Sequence, residues 1–150
     1  MSAGGLRHDD GGATAVEFAL VVPVLMLLLV GAFDLSRAVN AYVTVSNASR
    51  EGARYAVLHP TASPDDIAAA VDSRSVPLDP SVLAVDAEYY DGSDFESWPD
   101  TGIPANTPPA NISIRITVSY PWSSATALIG GFIGGGSRTL QSTSVMEMVR

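Results

Sequence analysis

Gly12-Ala13-Thr14-Ala15-Val16-Glu17-Phe18-Ala19-Leu20-Val21-Val22-Pro23, continued by a leucine-rich run to Phe33, decides the architecture of this chain. As a helix, the stretch from Ala13 to Phe33 reaches about 31 Å, the thickness of a bilayer core. A short polar leader, residues 1–12, precedes it. A secretory signal would carry its small-residue cut site after the apolar run, but Asp34-Leu35-Ser36-Arg37 follows and contains none. The segment is therefore expected to stay attached as a single-pass anchor. Glu17 stands out near its entrance, because a carboxylate within a hydrocarbon-length helix is costly and calls for a partner.

If the chain is cut after Gly12, Glu17 becomes the fifth residue of the product. This arrangement resembles the processing site of prepilins, where a glycine precedes the cut and a glutamate occupies the fifth mature position. Ala15-Val16-Glu17-Phe18-Ala19-Leu20-Val21-Val22-Pro23 with its leucine run, and then Ser49-Arg50-Glu51-Gly52-Ala53-Arg54-Tyr55-Ala56, resemble the TadE-like family of minor pseudopilins of Tad pili. The likeness is dense over residues 12–56. Beyond them it amounts to an alternating strand ending in Tyr120-Pro121 and a final polar–apolar strand. It implies a precursor cut between Gly12 and Ala13 by a prepilin peptidase, and assembly roles for Glu17, Phe18 and Pro23. The implied partners are the major pilin, other minor pseudopilins and the inner-membrane assembly platform.

Three readings of Glu17 stand side by side. Its carboxylate can snorkel to the headgroups. It can be favoured by its own helix N-terminus. It can also pair with the α-amine freed at Ala13, in the same chain or in the preceding subunit, and this last reading explains why acid and cut site occur together. Pro23 removes a helix donor, which predicts a bend or local loosening. That is either a harmless kink or a soft spot that lets the helix adapt on entering a filament. Charge does not orient the span: the leader has Arg7 beside Asp9 and Asp10, whereas Arg37, Arg50 and Arg54 follow the span. The resemblance does orient it. The family's peptidase acts on the cytoplasmic face, so the C-terminal domain is expected outside the cytoplasm, on the inner membrane or a surface pilus.

The chain has no cysteine, so neither disulfides nor thiol chemistry contribute. Lysine is also absent. Residues 35–150 carry seven arginines against twelve acids, a formal balance of −5. That sign disfavours nucleic acid and anionic headgroups as partners.

Leu35 to Leu58 lacks proline and predicts a water-exposed extension of the stem, 34–59. The expected packed stripe is Leu35, Val39, Tyr42, Ser46, Ser49, Ala53 and Ala56. Its lower part, with Gly52, is small enough for another backbone to come close. Asp34 with Arg37, and Glu51 with Arg54, are spaced for weak solvated pairs. Arg50, Glu51 and Arg54 are alternatively candidates for contact with neighbouring subunits. His59-Pro60 should end the helix, with His59 more a cap than a base.

Residues 60–150 read as a small α+β domain, giving overall a long N-terminal helix packed against a small antiparallel sheet on a pilin-like plan. Ser63-Pro64-Asp65-Asp66 is a helix start. Leu83 to Tyr89, Ile112 to Tyr120 and Leu140 to Val149 alternate as strands. Asp91, Asp94, Glu96 and Asp100 lie in a long loop, 91–110, and could gather around Ca²⁺. Their spacing fits no EF-hand, however, and solvated turn acids are commoner. Trp98 in that loop is a lid on the core or a recognition residue. A second loop, Ala125 to Gly136, is apolar, too short to span a bilayer, and reads as a contact with the membrane surface or a pilus component.

No catalytic constellation, metal cluster or cofactor motif is visible. The rivals to a pilus subunit are an uncleaved membrane-anchored binding domain and a secreted enzyme or calcium module built on the acidic loop.

Overall fold

A stretch without proline from residue 24 to residue 58, rich in alanine, leucine and valine, gives the backbone no reason to turn. The computed structural model describes residues 10–105, 107, 111–125, 131 and 137–149. In it, helix α1 runs from Asp10 to Leu58, 49 residues and continuous across Pro23, or about 74 Å. Residues 10–12 of the expected leader, the anchor and the extension as far as Leu58 thus share one helix, with no break at 12/13 or 33/34. The helix stops as expected at His59-Pro60. The His59 amide donates to the Tyr55 carbonyl at 2.9 Å, and the imidazole stacks on the Tyr55 ring with centroids 4.2 Å apart.

Helix α2, Pro64–Arg74, begins with a reciprocal cap. Ser63 Oγ accepts the Asp66 amide at 3.2 Å, while the Asp66 carboxylate accepts the Ser63 amide at 3.0 Å and the Ser63 hydroxyl at 2.8 Å. Those donors hold the Asp66 carboxyl below its ordinary range. The inward face of α2, Ile67 and Val71, is fully buried.

The sheet has four strands in the order β2-β1-β3-β4, each pair antiparallel. Strand β1 is Ala84–Tyr90, β2 Phe95–Ser97, β3 Asn111–Ser123 and β4 Ser137–Val149. The alternation read from sequence puts Ile112, Ile114, Ile116 and Val118 at zero exposure on the inner face of β3. Strand β4 faces them residue for residue, from Asn111↔Val149 to Ser123↔Ser137. Strand β2 is an unexpected addition inside the acidic loop. Trp98, just after it, is the lid: it is buried, and its Nε1–H donates to Ala62 O at 2.9 Å.

The stem meets this sheet on a face rotated from the expected one. Leu35, Val39 and Tyr42 are exposed, and Ala41, Thr44, Val45 and Ala48 are buried in their place. The lower part is as expected, with Ser49, Ala53 and Ala56 at zero exposure. The reason is size. One step round the helix, the chain offers alanines and a threonine whose hydroxyl is already satisfied by Asn40 O at 2.9 Å, so the sheet approaches more closely there. Ser49 Oγ contacts Ser144 Oγ at 2.9 Å and Ser142 Oγ at 3.2 Å, small side chains meeting small ones. At Gly52 a Cβ would stand 2.6 Å from Val71 Cγ2 and 3.2 Å from Ile116 Cγ2, so α2, α1 and β3 converge on a position with no room for a side chain. Gly102, at φ 76°, tucks the proline-rich loop under the helix end, where a Cβ would meet Pro60 O at 2.4 Å.

Over the shared face, stem and hairpin keep pace. Asp34 to Ser49 advances about 22 Å along the helix, and Arg138 to Ser144 about 20 Å along β4. Strand β4 therefore runs outward beside the helix, and β3 returns toward the anchor.

Two outcomes follow from this packing. Gly52→Leu is expected to lower the stability of the full-length protein in detergent by about 1–3 kcal/mol, read by urea unfolding. For the cap, the depressed folded pKa of Asp66 means its contribution is complete above the unfolded carboxylate value and is lost as pH falls through the folded one. Ser63→Ala should flatten this acid limb of the stability-versus-pH curve, and a curve of unchanged shape would refute the assignment.

Candidate processing and assembly site

The entrance of the stem is open on all sides. A Cβ at Gly12 would meet nothing within 4 Å, so no neighbour among the described residues requires a glycine there. The Gly12–Ala13 bond lies in the first turns of α1, which begins at Asp10. Glu17, four residues beyond Ala13, is on the same helical face one turn up. It is exposed, and among the described residues it has no hydrogen bond or ion pair. Phe18 is 69% exposed beside it, and Pro23 is exposed as well.

From Val16 to Phe33 no residue is buried, and the most apolar eighteen-residue window has a mean hydropathy of 2.5. An unsheathed apolar cylinder of this length needs lipid or protein around it. The water half of the stem continues that bare surface on one side through Leu35, Val39, Tyr42 and Val43, opposite the face that carries the head.

Higher up, Arg54 grips Glu51 with two hydrogen bonds, Nη2–Oε1 at 2.8 Å and Nε–Oε2 at 3.2 Å. Arg54 holds the Glu51 carboxyl below its usual range, and Glu51 raises the guanidinium in turn. Arg50 is exposed and, among the described residues, has no ion pair. The three residues thus form a solvent-facing charged patch away from the sheet.

Asp34 corrects the sequence reading. It is not a solvated partner of Arg37: it is 2% exposed. Its Oδ1 accepts the Ala125 amide at 3.0 Å, with the Arg37 guanidinium at 3.5 Å. Asp34 therefore ties the end of the β3 segment to the point where α1 leaves its apolar span. Trp122, which continues the inward alternation of β3 past Tyr120, is buried beside this tie and was not singled out from sequence. An acid just past an apolar run and a tryptophan in register with a core strand were the signals available for the pair.

Two acids of the acidic loop, Asp91 and Asp94, spend oxygens on the loop itself. Asp91 Oδ1 accepts from Ser93 N, Ser93 Oγ and Asp94 N, which keeps its carboxyl low. Among the described residues no three acids or histidines converge on a metal position. The apolar loop from Ala125 to Gly136 lies outside the described residues apart from Ala125 and Gly131.

A bare apolar helix carrying a sheet-built head at one end fits a single-pass membrane protein with a small α+β domain outside the span. The model for TadE-like proteins matches residues 12–54, the family that the sequence resembles. That family is associated with the Tad pilus, and its members are structural rather than catalytic. The match opens at the glycine of the suspected cut and closes at Arg54, so it covers the stem and leaves the head aside. No curated protein and no solved structure matches the chain.

Asp34→Ala is expected to cost about 1–3 kcal/mol by removing the charged acceptor of the part-buried bond from the Ala125 amide. Asp34→Asn, whose amide oxygen can still accept, should lose less than half as much in the same unfolding measurement.

Proposed function

We propose that this chain is the precursor of a minor pseudopilin, cut between Gly12 and Ala13 by a prepilin peptidase and then used in assembling a Tad-type pilus. The observation that carries the reading is the state of the entrance. Among the described residues, a glycine that no neighbour needs stands little more than one turn before a carboxylate that has no partner. Cleavage gives both a purpose, because the peptidase reads the glycine and the new α-amine of Ala13 neutralises Glu17 at i+4, within the chain or across a subunit boundary. A carboxylate in low dielectric is tolerated when a cation meets it and costly otherwise.

In this reading the leader faces the cytoplasm and the head faces outward. The apolar stem, with Phe18 and Pro23 near its entrance, leaves lipid to pack against the stems of the major pilin and other minor pseudopilins. The Arg50, Glu51 and Arg54 patch, on the side away from the sheet, is offered to neighbouring subunits or to the inner-membrane platform. A structural part of this kind has no need of a cofactor.

N-terminal sequencing of membrane-extracted protein should give Ala-Thr-Ala, and Gly12→Leu should leave the leader attached. Glu17→Gln should insert and be cut normally, yet fall by about tenfold in sheared filaments, the loss expected when one charge pair worth 1.4 kcal/mol is removed from assembly. A chain that keeps its initiator methionine beside an active peptidase would instead favour an uncleaved anchored binding domain.

A further inference from the structure

Where α1 leaves its apolar span, the head does not close fully against the stem. A cavity of about 290 Å³ lies between them, walled by Gly31, Leu35, Ala38 and Leu140, with Asp34, Trp122 and Arg138 completing it. Gly31 belongs to the span, and Leu35 and Ala38 follow its last residue, Phe33, by about 3 and 8 Å along the axis. In a membrane the cavity therefore stands where acyl chains give way to glycerol esters and phosphates.

Trp122 makes this more than an apolar gap. The residue is 8% exposed, and its buried Nε1–H has no acceptor among the described residues. A donor shut away from water needs an oxygen brought to it. The same ring borders a second, more polar hollow of about 140 Å³ that includes Arg37, Asn40 and Tyr120. Trp122 thus divides an apolar chamber from a polar one, and its cross-strand partner is Arg138.

We propose that this junction seats one zwitterionic glycerophospholipid of the surrounding leaflet. The upper acyl chain lies along Gly31, Leu35, Ala38 and Leu140, and an ester or phosphate oxygen accepts the Trp122 Nε1–H. Arg138 and Arg37 offer positive charge to the phosphate, that of Arg37 offset in part by the Asp34 carboxylate 3.5 Å away, so the site suits a headgroup of no net charge. The −5 balance of residues 35–150 disfavours a headgroup of net negative charge and suits one that carries its own cation. The inference rests on the membrane-anchored reading of residues 13–33 and is independent of cleavage at Gly12.

The chain's two tryptophans make the test direct. The full-length protein is reconstituted in phosphatidylcholine vesicles whose upper acyl chains are brominated, bromine being a contact quencher of indole fluorescence. With Trp98→Phe, Trp122 is the sole reporter, and its emission should fall about threefold relative to unbrominated vesicles, as expected for a ring in contact with the upper part of a bound acyl chain. With Trp122→Phe, the remaining Trp98, bonded to Ala62 within the head, should be little quenched. Adding Ala38→Leu or Leu140→Phe to Trp98→Phe should fill the chamber and restore the emission, a blue-shifted maximum confirming that the ring is still buried. Protein that floats with the vesicles while Trp122 stays bright overturns the lipid site and leaves the anchor standing. Quenching that neither filling variant relieves, or that reaches Trp98 equally, also overturns it, since proximity to the bilayer would then suffice. Failure to float at all defeats the anchor reading and this inference with it.

Discussion

The close approach between α1 and the sheet rests on a run of side chains too small to keep them apart. Ala41, Ala48, Ser49, Gly52, Ala53 and Ala56 form a shallow channel, and the inner faces of β3 and β4 lie in it. With no cysteine in the chain, this contact and the core behind it hold the head to the stem without covalent help. The channel also explains why the helix can be so long. A stem that contributes one wall of a core does not need to end where the membrane ends, so a single uninterrupted element serves both solvents.

That economy explains the uneven legibility of the sequence. Hydrophobic alternation located the three main strands and the core positions 112, 114, 116 and 118, because a one-sided strand writes its burial every second residue. The cap at Ser63 and the stop at His59-Pro60 were equally plain, since both are local chemistry. The upper half of the stem misled. There Leu35, Val39 and Tyr42 point away from the head, and apart from Val45 the residues buried in their place are alanines and a threonine whose signal is weak. Hydrophobicity marks what wants to be covered, not by what, and on a helix destined for a second partner the two faces compete.

The junction shows the same limit in polar form. Asp34 and Arg37 had the spacing of an ordinary surface pair, and only the return of β3 to Ala125 buries the acid. Trp122 extended a strand pattern past Pro121, where the reading from sequence had ended the strand. The proposed processing entrance rests on a motif, with Gly12, Glu17 and Phe18 in order, and the family match to residues 12–54 covers the same stretch. The head falls outside that match. Its identity is carried by packing geometry, which no local string encodes.

The alignment of α1 with the β3–β4 hairpin has a mechanical consequence. An outward tug on the head, resisted by the stem, acts along the strands rather than across them. The ladder from Asn111↔Val149 to Ser123↔Ser137 is then loaded in shear, and its bonds must slip together instead of unzipping one by one. A small unit without disulfide staples thereby gains resistance to traction from its orientation alone.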